Sequence, residues 1–285
     1  MTTPVLIFTL VFAGVFGLVI GSFLNVVVYR VPNEISLMRE SRCPECDAHV
    51  RPWQNVPVVS WIALRGKCAY CGNPIPARYP LVEIATALAF VGVTWWVLSA
   101  HFARSTTEGL TGATAWLAAS LVLIAFLYLS AISIVLLLID VAVYRLPSSI
   151  VLPAYLVGFV LLGGASALAA DWNAIIRMAI GMVGMYLFYA LLRFIRPAGM
   201  GGGDVKLAGV LGIYLAWLGW STLVIGAFAA FLLGGIFGIV LMIFRRATRQ
   251  TRIPFGPWML AGAWVGIIIG PAVGSWYLGL LGVAA

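Results

Sequence analysis

Apolar residues in this chain come in long, nearly uninterrupted runs, not in the alternating or three-to-four-residue patterns of soluble strands and helices. Eight runs stand out, at approximately 4–28, 81–100, 113–139, 149–169, 174–195, 205–220, 222–244 and 257–281. Each approaches the ~20 residues that a helix needs to cross the hydrocarbon core of a bilayer. The sixth and seventh nearly abut, separated only by a Gly219-Trp220-Ser221 corner. The pattern predicts an all-α polytopic membrane protein with about eight transmembrane helices and a small cytoplasmic loop domain after the first. The expected divisions are a first helix at 1–28, the loop domain at 29–80 and a seven-helix membrane domain at 81–285. No basic region precedes the first run and no small-residue cleavage site follows it, so Met1 to Val28 reads as a retained helix, not a removed signal.

Composition agrees. The 285 residues are 63% hydrophobic and only 9% charged, with a mean hydropathy of +1.07, whereas a soluble domain is about half apolar. In a soluble protein the net charge of +8 would suggest nucleic acid. Here the location of the charge gives another reading. With the 29–80 loop in the cytoplasm, helix alternation places 15 of the 17 basic residues on that side, as the positive-inside rule requires. Only Arg104 and Arg177 fall outside. No nucleic-acid partner is expected, the bilayer is, and both termini should lie outside. The same alternation ends an out-to-in helix at Asp140 and begins an in-to-out helix at Asp204, so both carboxylates are expected at the cytoplasmic face.

The loop carries all four cysteines as Cys43-Pro-Glu-Cys46 and Cys68-Ala-Tyr-Cys71, with twenty-one residues between the pairs. Two such knuckles offer four thiolates to one tetrahedral zinc. Disulfides or free thiols are the alternatives, and a reducing cytoplasm disfavours the former. A four-cysteine site leaves no position for water, so the expected Zn2+ is structural. Gly72, just after the second pair, supplies the backbone freedom such a turn needs, and His49 reads as a surface residue.

The chemistry-bearing stretch is Gly199-Met200-Gly201-Gly202-Gly203-Asp204-Val205-Lys206. An ionisable group at membrane depth is costly and marks a functional site. Two aspartates sharing one proton can make a protease centre, one activating water and the other polarising the peptide carbonyl. Gly201, Gly202 and Gly203 would let the backbone bend and a substrate strand come close. Lys206 would tune the local field or face lipid headgroups. Plainer readings exist for each acid: Asp140 as a solvated helix end beside Arg145, and Asp204 and Glu83 as acids favoured by a helix N-terminus. Asp171 has only the plain reading.

These residues resemble the bacterial type IV prepilin leader peptidases, within the GxGD class of intramembrane aspartyl proteases. Gly201-Gly202-Gly203-Asp204-Val205-Lys206-Leu207 looks like the family's GxGD-x-K-L signature. Asp140, with five residues between it and Leu146-Pro147, resembles its first catalytic aspartate. Gly21-Ser22-Phe23-Leu24-Asn25-Val26 with Tyr29-Arg30-Val31-Pro32 resembles its N-terminal signature. Arg78-Tyr79-Pro80-Leu81-Val82-Glu83 resembles the segment entering its second helix, and the double-knuckle loop matches its zinc-bearing form. The resemblance covers nearly the whole chain. It implies an inner-membrane enzyme that cuts prepilins and pseudopilins after a glycine on the cytoplasmic side. It further implies N-methylation of the new N-terminal residue, with S-adenosylmethionine as donor. By carry-over Asp140 and Asp204 are the catalytic pair, and Gly21, Asn25, Glu83 and Lys206 belong to regions linked to substrate or methyl transfer. Ser148 departs from the acid or Asn that many relatives carry after Leu-Pro. No glycine-rich strand-to-helix turn of a soluble methyltransferase is present.

Weaker signals are expected to be structural. Gly181, Gly184, Gly234, Gly235 and Gly238 suggest close helix packing. Trp95, Trp96, Trp217, Trp220 and Trp276 suggest an interfacial belt. Arg245, Arg246, Arg249 and Arg252 suggest a lipid anchor. The competing functions are a peptidase without methyltransferase activity, a methyltransferase without protease activity, and a transporter using the two aspartates for protons or cations. Oligomeric state has no sequence signal.

Overall fold

The computed structural model describes residues 3–101, 110–244 and 254–282. Among them, eight long helices occupy the eight apolar runs: α1 (Thr3–Arg30), α2 (Arg78–Trp96, continuing as a π-helical turn Val97–His101), α3 (Gly112–Val143), α4 (Ser148–Leu168), α5 (Trp172–Ile195), α6 (Gly202–Leu218), α7 (Trp220–Ile243) and α8 (Gly256–Leu280). Seven are long and apolar enough to cross a bilayer; α6, with 17 residues, falls just short. Among the described residues, β-structure is confined to two isolated bridges, both in the 31–77 loop. Arg104 and the Arg245–Arg252 cluster lie outside the described residues.

The chain divides into two compact units, Met1–Thr107 with Phe126–Leu138, and Glu108–Ala125 with Ile139–Ala285. In the first, α1 packs along α2. The close approach runs through glycines of α1: a Cβ on Gly17 would lie 2.7 Å from Ala87 Cα, and one on Gly21 2.6 Å from Glu83 Cα. At the end of α1, the buried Arg30 guanidinium donates to the carbonyls of Ser36, Leu37, Arg39 and Glu40. One side chain thereby satisfies the polar backbone with which the loop begins.

The second unit is built around α6, which contacts α4, α5, α7 and α8. Thirteen of its 17 residues are buried, as expected of a helix apolar on every side. A helix sheathed by protein need not match the bilayer thickness, which accounts for its shortness. Its C-terminal carbonyls at Ala216 and Trp217 accept from Arg177 of α5, a cation where the helix dipole favours one. Asp171 caps α5 by accepting from the Ala174 amide at 3.0 Å.

Two expectations need correction. Trp217 is not part of a lipid-facing belt; it is buried and donates to Ser166 Oγ at 2.8 Å. Among the packing glycines, Gly181 does meet α6, where its Cβ would fall 2.7 Å from Gly212 O, and Gly234 meets Trp258 of α8 at 3.3 Å, but Gly184 and Gly235 face open space. The tightest contact between α7 and α8 instead uses Gly262, Gly266, Gly270 and Gly274 of α8, a four-residue stripe against α7, as small-residue interfaces in membranes allow.

Candidate active site and metal-binding loop

Asp140 sits on the last turn of α3 and Asp204 on the first turn of α6. Both are buried, at 5% and 8% exposure, and they lie within electrostatic reach of each other. Each takes one glycine amide on its Oδ2. Gly201 N–H donates to Asp204 at 2.9 Å, the backward reach of a capping-box acid. Gly256 N–H, at the start of α8, donates to Asp140 at 3.1 Å. No described residue donates to either Oδ1. Among the described residues the site therefore presents two buried carboxylates, each oriented by one backbone bond at one of its two oxygens.

The glycines serve proximity more than bending. None of Gly199, Gly201, Gly202 and Gly203 has a positive φ, and Gly202 and Gly203 already belong to the helix. A Cβ on Gly203 would lie 2.7 Å from Leu146 Cβ, and one on Gly202 would collide with the Arg193 guanidinium. Leu146 also stands 3.4 Å from the Cβ position of Gly256. The Leu-Pro corner after α3 is thus pressed between the glycine next to Asp204 and the glycine that holds Asp140.

Lys206 makes no ion pair with either aspartate among the described residues. Its Nζ donates to Ser148 Oγ at 2.8 Å, while its carbonyl accepts from Tyr155 Oη. Ser148, the residue after Leu146-Pro147, thus gives the lysine its acceptor. Three nearby residues escaped the sequence reading. Gly256 was hidden because nothing local ties it to an aspartate 116 residues away. Tyr189 and Arg193 of α5 both reach Asp204 electrostatically, and their four-residue spacing on one helix face was the available signal. Tyr189 also packs on Phe231 and Phe255, at centroid distances of 5.6 and 6.3 Å.

In the first unit, Glu83 and Asn25 each approach Gly21. Asn25 Nδ2 donates to the carbonyls of Gly21 and Tyr79, leaving its buried Oδ1 without a partner. Glu83 accepts from Val58 N–H at 2.7 Å and lies within hydrogen-bonding reach of Ser22. Val58 has φ +60° and ψ −48°, with Val59 N–H bonded back to Pro57 O at 2.6 Å. This is a γ-turn centred on a β-branched residue, a conformation that costs about 1–3 kcal/mol.

The cysteines form two matching knuckles. Cys43 N–H donates to Ala48 O and Asp47 N–H to Cys43 O; Cys68 N–H donates to Asn73 O and Gly72 N–H to Cys68 O. Asp47 and Gly72 occupy the equivalent positive-φ position, at +53° and +72°. No disulfide joins the thiols. All four Sγ atoms lie within 4.8 Å of one another, with Cys43 and Cys71 at 3.9 Å. A tetrahedral zinc with Zn–S near 2.3 Å requires S···S separations of about 3.8 Å, so the cluster fits a metal ion of that kind. The amides of Cys71 and Tyr70 pull the Cys68 thiol down to about 6. The Ala48 amide acts likewise on Cys46, but lost hydration and the thiols of Cys71, Cys43 and Cys68 outweigh it and push Cys46 up to about 12. Four sulfurs this close resist common ionisation without a cation among them.

Comparison with known proteins places these features. Residues 15–97 match the model of the bacterial peptidase A24 N-terminal domain, and residues 127–239 match that of the type IV leader peptidase family. The chain belongs to this family. It is 34% identical to a prepilin leader peptidase/N-methyltransferase of Stutzerimonas stutzeri, covering 93% of this chain and 92% of the relative. It is 35% identical to one of Aeromonas hydrophila, covering 96% and 95%, and 33% identical to one of Neisseria gonorrhoeae, covering 90% of each. No solved structure matches the chain. The protein is a multi-pass membrane peptidase of the leader-peptidase family.

Proposed function

We propose that the protein removes the basic leader from type IV prepilins and pseudopilins at the cytoplasmic face of the inner membrane, cutting after glycine, with Asp140 and Asp204 as the catalytic pair. The observation that carries this reading is the buried pair itself, each carboxylate fixed by one glycine amide and each with one oxygen that no described residue bonds. One carboxylate takes the proton of a water positioned between them, and the other, protonated, donates to the scissile carbonyl as the tetrahedral centre forms. Burial among apolar residues keeps bulk water from competing with these contacts. Cys43, Cys46, Cys68 and Cys71 hold one Zn2+ as a structural clamp on the loop, with no role in the cut.

The names of the relatives support a second step on the same product, N-methylation of the new N-terminus. S-adenosylmethionine supplies an electrophilic methyl group when bound. In this chain the acceptor-only pair Asn25 Oδ1 and Glu83, each approaching Gly21, suits a positively charged guest, either the amine or the sulfonium. A cation transporter is disfavoured, because membership in a peptidase family and the cysteine loop have no place in it. Purified enzyme incubated with a prepilin from the same genome should yield a product lacking the leader, with one further methyl mass only when the donor is supplied. An intact prepilin with the enzyme folded and zinc-loaded refutes the reading.

A further inference from the structure

The loop between α1 and α2 holds a segment that the metal knuckles do not explain. Pro57 to Ala63 reads Pro-Val-Val-Ser-Trp-Ile-Ala, and Val59–Ala63 form a single short helix. Its inward side is Trp61, whose Nε1 donates to Ile75 O at 3.0 Å and whose ring covers Gly66. Its outward side is apolar and bare: Val59 and Ile62 are each 63% exposed, and Trp53 and Val56 beside it are exposed as well. Water is a poor neighbour for such a surface.

The depth of the segment identifies a better one. Val58 N–H is bound to Glu83, five residues into the membrane-spanning α2. At a rise of 1.5 Å per residue that is about 7.5 Å past the start of the helix at Arg78. Interfacial helices bury their apolar faces about 5–10 Å into the boundary between headgroups and acyl chains. The α2 residues around this depth, Leu81 and Ile84, are themselves exposed. At the depth to which Glu83 fixes Val58, α2 thus shows apolar side chains outward, and the short helix does the same with Val59 and Ile62. Charge agrees: Arg51, Arg65, Lys67 and Arg78 surround the segment, all exposed, and no acid occurs between Asp47 and Glu83. The strained turn at Val58 serves this placement, because it points the amide at Glu83 and so pins the segment against the spanning helix.

We propose that residues 57–63 are an interfacial membrane anchor, with Val59 and Ile62 in the boundary of an anionic leaflet and the flanking cations on its headgroups. The loop is then held against the bilayer surface by more than its two ends. The inference uses the membrane placement of α2 and is independent of which peptide the enzyme cuts.

The test replaces Ile62 by a benzophenone amino acid in the full-length, zinc-loaded protein, reconstituted in nanodiscs of phosphatidylethanolamine and phosphatidylglycerol. Glu45, exposed on the first metal knuckle, carries the same probe as the reference. Because Ile62 is largely uncovered, the probe should not disturb packing, and zinc content and monodispersity check this for each preparation. After irradiation, intact-mass spectrometry should find lipid adducts several-fold more abundant at position 62 than at position 45. Equal yields at both positions, no lipid adduct at 62, or crosslinks from 62 only to protein would each overturn the proposal. Cleavage activity is not read in this test, so its failure leaves the peptidase assignment standing.

Discussion

Gly256→Ala should act through the Asp140 carboxylate alone. The new Cβ would lie 2.6 Å from Asp140 Oδ2, whereas an unstrained C···O contact is about 3.3 Å. The carboxylate must retreat by about 0.7 Å, and as the end of a side chain it can do so without moving a helix. That displacement exceeds the ~0.5 Å within which catalytic groups must be held, and a 1 Å misplacement can cost ~100-fold in rate. It also stretches the 3.1 Å amide bond, and a hydrogen bond to a charged group is worth about 1.5–3 kcal/mol. At ~1.36 kcal/mol per decade, both estimates point to a kcat about 10–100-fold lower, with KM little changed. Stability should fall by no more than that one hydrogen bond, about 1.5–3 kcal/mol, because Gly256 opens the helix and alanine's advantage over glycine belongs to helix interiors. The assay is steady-state cleavage of a prepilin beside thermal unfolding in the same detergent. Full turnover in a normally folded variant refutes the role given to Gly256. A loss of stability well beyond about 3 kcal/mol, more than one hydrogen bond to a charged group is worth, refutes the claim that only the carboxylate moves.

Three further outcomes follow from the same geometry. Replacing Cys43 and Cys46 together by Ser should reduce bound zinc from about one per chain to none, read by elemental analysis; a wild-type protein free of metal refutes the site. Glu83→Gln should leave leader removal intact while lowering methylation at least ~10-fold, the value of one hydrogen bond to a charged group, read as the methylated fraction in mass spectra. Equal loss of both activities contradicts a separate methyl-transfer role. Gly181→Val adds carbon where α5 meets the Gly212 carbonyl and should destabilise the fold by about 1–3 kcal/mol, seen as a lower unfolding temperature; an unchanged one refutes the close crossing.

The helices were legible because spanning segments are written as length and hydropathy, which need no knowledge of neighbours. All eight runs are helical, and the one that strays from spanning length, α6, does so because its surroundings are protein, which hydropathy does not record. The cysteine cluster was legible for a similar reason, since its spacing is local and the two knuckles repeat it. The aspartates could be singled out as the acids at helix ends in an apolar chain. Their partners could not, because Gly256, Tyr189 and Arg193 reach the site only through the packing of α5 and α8 against α6. The glycine run shows the same limit: the sequence suggested a bend open to a substrate strand, whereas no glycine of the run has a positive φ, and Leu146 and Arg193 crowd Gly203 and Gly202.

The most direct test of the central claim is cleavage of a prepilin by Asp140→Asn and Asp204→Asn enzymes reconstituted in lipid, followed by mass spectrometry of the product. Each substitution keeps the side chain's shape and removes its acid–base function, worth about 10²–10⁴-fold. The account predicts that leader removal disappears in both variants while zinc content and unfolding temperature match the wild type. Leader removal by either variant at a rate near that of the wild type would contradict it.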